Sequence, residues 1–160
     1  MLRLLMTLLL WLAFASPALA GDPAPTIEDM SGAAVASDTI GVEGKPMLVV
    51  FWATWAKPAI LALNTIHPLH EGWTKATGAP VVIVSIDDAR NYRKVKPFVD
   101  GHEWTYASYL DPSQALASKM GAKDVPVAYV LDSKRNVVQT FQGFEPGDEA
   151  KWEAALKAAK

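Results

Sequence analysis

The chain has 160 residues, of which 51% are hydrophobic and 20% charged; its net charge is −2 and it contains no cysteine. That apolar share supplies a core, and the near-neutral balance leaves no basic face for nucleic acid or anionic lipid. Without cysteine there is no disulfide, no thiolate nucleophile, no cysteine-ligated zinc or iron–sulfur centre and no lipid-attached cysteine.

Residues 1–20 read as a cleaved export signal. Arg3 supplies the positive start, and Leu4 to Ala15 is apolar apart from Thr7. Ser16-Pro17 then breaks the helix before the small-x-small sequence Ala18-Leu19-Ala20. The apolar run is about 12 residues, too short for a membrane span of ~20. The expected product is one domain over 21–160, working in the periplasm or another extracytoplasmic space, with no stable membrane anchor after cleavage. Asp22 to Pro25 is an extended lead-in, and Ala33 to Ile40 holds a short edge strand. Met47–Trp52, Val81–Ile86 and Val127–Leu131 are continuous apolar, β-branched runs, which suit strands covered on both faces. Asn136–Gln142 alternates and reads as a half-exposed strand, joined to its predecessor through the turn Asp132 to Asn136. Lys57–Thr77 is a helix with a stripe of Ile60, Leu63, Ile66, Leu69 and Trp73, kinked at Pro68. Arg90–Gly101 is a shorter basic helix, with Asp87-Asp88 as its start signal. Asp111 caps a helix that has Pro112 at its first position and Gly121 past its end. The last helix begins near Pro146 and buries Trp152, Ala155, Leu156 and Ala159. The order predicts an α/β fold: a central mixed sheet, helices on both faces and a terminal antiparallel hairpin.

The most specific segment is Val49-Val50-Phe51-Trp52-Ala53-Thr54-Trp55-Ala56-Lys57-Pro58-Ala59. It resembles the active-site segment of the thioredoxin-like fold, in the TlpA/ResA-type exported thiol–disulfide oxidoreductases, where it reads FWATWCxPC. Val84-Ser85-Ile86-Asp87, Tyr109 to Pro112 and Val130-Leu131-Asp132 are similar to further stretches of that family. Gly121 to Pro126 matches its G-x-x-x-V-P stretch, whose proline is cis and faces the active site. The resemblance places the nucleophile at Ala56 and the resolving residue at Ala59. A methyl group cannot attack a disulfide, so thiol–disulfide exchange is not expected, and peroxidase chemistry that needs a thiolate falls with it. Val50 stands where the family often carries a buried acid, and Ala62 where it often carries Glu. The proton-handling groups are therefore missing along with the thiols.

The resemblance implies a groove rimmed by Trp55, Lys57, Pro58, Val125 and Pro126, in which backbone beside the cis-proline pairs with an extended segment. That mode needs no sulfur, so the expected partner is extended polypeptide or a partner protein, with Lys57 favouring acidic segments. Trp55 and Pro126 also have a purely structural reading, as an aromatic plug and a turn-fixing bond. A second reading is an oxidoreductase whose two cysteines were replaced by engineering. A third is metal handling by His67, His70 and Glu71, against which the ligand set is incomplete. No cofactor is implied. Asp87-Asp88 reads as a helix cap, and Trp104 and Tyr106 as packing under the third helix.

Overall fold

The computed structural model describes residues 22–159; the expected leader lies outside them. Seven strands form one sheet: β1 Thr26–Asp29, β2 Ala34–Ala36, β3 Met47–Trp52, β4 Val81–Ser85, β5 Ala107–Leu110, β6 Val127–Leu131 and β7 Val137–Gln142. Their order across the sheet is β2-β1-β5-β4-β3-β6-β7. The helices are α1 Lys57–Thr77, α2 Val95–Gly101, α3 Ala115–Met120 and α4 Asp148–Ala158. β3 runs parallel to β4 and antiparallel to β6, with Phe51 beside both Val84 and Val127. Every residue of β3, β4 and β6 is buried, because these strands carry helices on both faces and so tolerate no polar alternation.

Neighbouring side chains of β3 show which helix covers which face. Trp52 packs on Phe98 of α2 and on Trp104, and the Trp104 indole N–H donates to Asn64 of α1 at 3.0 Å. Phe51 points the other way, as alternation requires, and meets Tyr129 edge-on; the Tyr129 hydroxyl donates to the Met120 carbonyl of α3. α1 and α2 thus cover one face and α3 the other. α4 lies beside α1 and buries Trp152 and Leu156 completely.

Several boundaries differ from the sequence expectation. β1, four residues after the lead-in, was not anticipated; it turns into β2 where the Asp29 carboxylate accepts from the Ser31 and Ala33 N–H groups and Gly32 takes φ 87°. α2 starts later than Arg90, because the Asp88 side chain accepts from the Arg90 and Asn91 N–H groups and holds a turn ahead of it. α3 starts at Ala115 rather than Pro112, after Gln114 takes a left-handed φ of 56°. Asp111 still serves it, accepting from the Ala115 and Ala117 N–H groups at 3.1 and 2.8 Å. α1 continues through Pro68 as a single helix. Its Leu69 is 39% exposed, while His70 turns inward. The expected stripe stepped by three residues, and each such step falls about 60° short of a full turn, so by Leu69 it had walked out of the core. β7 is more exposed than its alternation suggests, with Val137 and Val138 about half open at the sheet edge.

Candidate functional site

β3 ends at Trp52 and the chain turns over Ala53–Ala56, where the Ala56 N–H donates to the Ala53 carbonyl at 3.1 Å. Ala56 caps α1 with φ −91° and ψ 90°, and its carbonyl accepts from Ile60 N–H at 3.0 Å. Pro58 sits in the first turn, where its missing N–H costs nothing. That turn has no acidic residue, so the positive end of the helix dipole is uncompensated there. Ala56 is almost fully buried and Ala59 completely so. Val50 and Ala62 are also completely buried, which leaves no proton-carrying side chain at either position. Trp55, by contrast, is 62% exposed. It is a projecting aromatic, not the plug of the structural reading. Lys57 and Pro58 are exposed beside it.

Val125 and Pro126 lead into β6, the antiparallel neighbour of β3. The pair Phe51↔Val127 sets Pro126 level with Trp52 and Val125 level with Ala53, at the sheet end where α1 begins. The Val125–Pro126 peptide is cis. Pro126 is buried and its carbonyl accepts from Gly143 N–H at 2.8 Å. Val125 is half-buried, and its backbone groups bond to no other described residue. The fold therefore gathers Trp55, Ala56, Lys57, Pro58 and Ala59 with Val125 and Pro126 at one end of two adjacent strands.

A further part of this end of the sheet was missed. Asp87 is not a helix cap. It is completely buried, and its carboxylate accepts from Thr54 N–H (2.9 Å), the Thr54 hydroxyl (2.6 Å) and the Ser85 hydroxyl (2.8 Å). The carboxylate thus braces the turn between β3 and α1 from the end of β4. Asp88 holds a turn and does not cap either, since neither α2 nor the short 3-10 turn before it has a side-chain cap. The usable signal was Ser85 two residues before Asp87 at the end of a buried strand, where a carboxylate needs hydroxyl and amide donors.

The histidines of α1 do not form a metal centre. The His70 Nε2 lies 2.9 Å from the Thr105 hydroxyl and the His67 Nε2 3.3 Å from it, and Thr105 N–H donates to the same His67 atom. The Thr105 hydroxyl also reaches the Glu71 carboxylate at 3.4 Å. Thr105 thus fills the point on which the three polar groups converge. Burial, reinforced by His67, holds the His70 imidazole below its ordinary value. Tyr106 also differs from expectation: it and Trp104 pack on α1 and α2, away from the third helix, and the Tyr106 hydroxyl donates to the Leu63 carbonyl at 2.6 Å.

The model of the AhpC/TSA family matches residues 20–140. The chain belongs to the AhpC/TSA family. Among named relatives, the thioredoxin-like protein YneN of Bacillus subtilis is 28% identical over 93 residues, which are 58% of this chain and 53% of that protein. The thiol-disulfide oxidoreductase ResA of Bacillus thuringiensis is 26% identical over 102 residues, or 64% of this chain and 57% of ResA. The chain thus spans little more than half the length of these relatives. An uncharacterized thioredoxin-like protein from Porphyromonas gingivalis, known from its solution structure, superposes with a TM-score of 0.75 at 30% identity, covering 85% of this chain and 89% of that one. These matches establish the thioredoxin-like fold, and the oxidoreductase ResA is a protein the chain is similar to. This AhpC/TSA member has two methyl groups where the resemblance places the reactive sulfurs. It can neither form a mixed disulfide nor reduce a peroxide there.

Proposed function

We propose that this domain binds an extended polypeptide or a partner protein at the former active-site end of the sheet and carries out no thiol chemistry. The observation that carries the reading is Val125: its backbone N–H and carbonyl have no partner among the described residues just before β6, at the same end of the sheet as the exposed Trp55. An added strand satisfies such groups through main-chain hydrogen bonds, and an aromatic at the rim supplies contact area. Lys57 beside Trp55 favours a carboxylate on the bound segment. The leader-like residues 1–20 support export from the cytoplasm, to a compartment where unfolded secreted chains occur. No helix of the described residues is long and apolar enough to cross a membrane.

The test is calorimetric titration of the protein and of Trp55→Ala with acidic, neutral and basic unstructured peptides. Saturable binding of acidic peptides, weakened about tenfold by Trp55→Ala, is expected. Absence of binding by both proteins sinks the reading.

A further inference from the structure

α1 carries an apolar surface besides the one it buries. Pro58, Leu61, Thr65, Pro68, Leu69 and Gly72 lie along one flank. Leu61 and Leu69 are 46% and 39% exposed; Pro58, Pro68 and Gly72 are exposed as well, and Thr65 is half-buried. At 3.6 residues per turn these six cover about 100° of the helix, the width of an ordinary packing face. No charge interrupts them. The charges stand along one border of the stripe, Lys57 near its start, Glu71 near its end and Lys75 one turn further on. All three are exposed, and none joins an ion pair among the described residues.

Opposite charges at the two ends of one border form a self-complementary pattern. When a second copy of the helix is turned end for end about a two-fold axis, like borders meet. An axis beside Asn64 brings Lys57 onto Glu71 of the second copy, and Glu71 onto its Lys57. The apolar positions then interleave, with Leu61 near Thr65 and Pro68 of the second copy and Leu69 near its Pro58. Moving the axis a residue or two towards the C-terminus sets Lys57 against Lys75 instead, so the charges select one register. We propose that the chain self-associates as a weak homodimer through antiparallel packing of α1 on α1 across this stripe. The ion pairs set partner and register, and the leucines supply most of the contact.

The experiment is sedimentation equilibrium on the purified full chain up to millimolar concentration, with circular dichroism to confirm that each variant folds. A dissociation constant on the order of 100 μM is expected from a contact smaller than a standard interface. Lys57→Glu and Glu71→Lys each place like charges across the axis, and each weakens the dimer about fivefold. An equimolar mixture of those two variants restores opposite charges at both contacts and associates as tightly as the unchanged chain. Leu61→Glu abolishes association. A monomer at every concentration overturns the proposal, as does a dimer indifferent to Leu61→Glu or a mixture no tighter than either variant alone. Leu61-dependent binding to phosphatidylglycerol vesicles without dimerisation reassigns the stripe to a membrane and also overturns it. Peptide titration of Glu71→Lys tests the groove separately, since Glu71 takes no part in it.

Discussion

At the scale of single residues, the turn between β3 and α1 is braced by Asp87 and not by Ala56 or Ala59. Three donors from Thr54 and Ser85 satisfy this buried carboxylate, and no cation accompanies it among its hydrogen-bond partners. Asp87→Ala leaves the Thr54 amide without its acceptor inside the protein, and about 3 kcal/mol of stability is expected to go with it. Asp87→Asn keeps the shape and an acceptor oxygen, and about 1 kcal/mol is expected; urea unfolding midpoints measure both. Equal costs for the two variants would show that packing, not hydrogen bonding, holds the turn. The same brace bears on Ala56→Cys/Ala59→Cys. The double variant places a sulfur at the start of α1, where the helix dipole and free N–H groups lower a thiol pKa. Formation of an intramolecular disulfide is expected, together with slow reduction of a model disulfide substrate, because Val50 and Ala62 supply no acid or base. Full activity in this variant would point to very recent or engineered loss of the cysteines; slow turnover points to long divergence.

At the scale of elements, α1 is tied to the chain before β5 by Thr105 and Tyr106, and this clamp is expected to respond to pH. The folded protein holds His70 below its ordinary value of 6.5, chiefly through burial and secondarily through His67, with Glu71 opposing. Between the two values the unfolded chain binds more protons, so stability rises with pH. The contribution is complete above 6.5 and is lost as pH falls towards and through the folded value. His67 is the nearest cationic competitor, Glu71 and Lys75 lie further along α1, and Tyr106 faces the pair with its phenol held far above its ordinary range by burial. A lower urea midpoint at about pH 5 than at about pH 7 is expected, with the difference reduced in His70→Gln. A midpoint flat across that interval in the unchanged protein contradicts it. Tyr106→Phe removes a hydroxyl bonded to a helix carbonyl and is expected to cost about 1 kcal/mol in the same assay.

At the scale of the whole molecule, the order of elements and the sheet core could be read in the chain itself. Met47–Trp52, Val81–Ser85 and Val127–Leu131 are short, apolar and β-branched, and in that composition they have one stable use, as strands buried on both faces. The FWATW segment and the distant Val-Pro marked the candidate site for a related reason: each is a local backbone requirement, a strand-to-helix turn and a fixed proline geometry, written in adjacent residues. Their mutual placement was not legible, since it depends on the pairing of Phe51 with Val127. Asp87 was misread because its partner Thr54 lies 33 residues away, and the sequence of an aspartate pair is the same whether a side chain caps a turn or enters the core. Leu69 and His70 were misread because each three-residue step falls about 60° short of a full turn, so that by Leu69 the spacing counted from Ile60 had left the buried face. Composition and periodicity thus determined an α/β fold and the lack of a thiol, and the resemblance carried by the FWATW and Val-Pro segments made that fold thioredoxin-like. Which carboxylate braces the turn, which histidine is buried and which face of α1 stays open depended on tertiary structure, because each is a contact between segments whose separation along the chain carries no local signal.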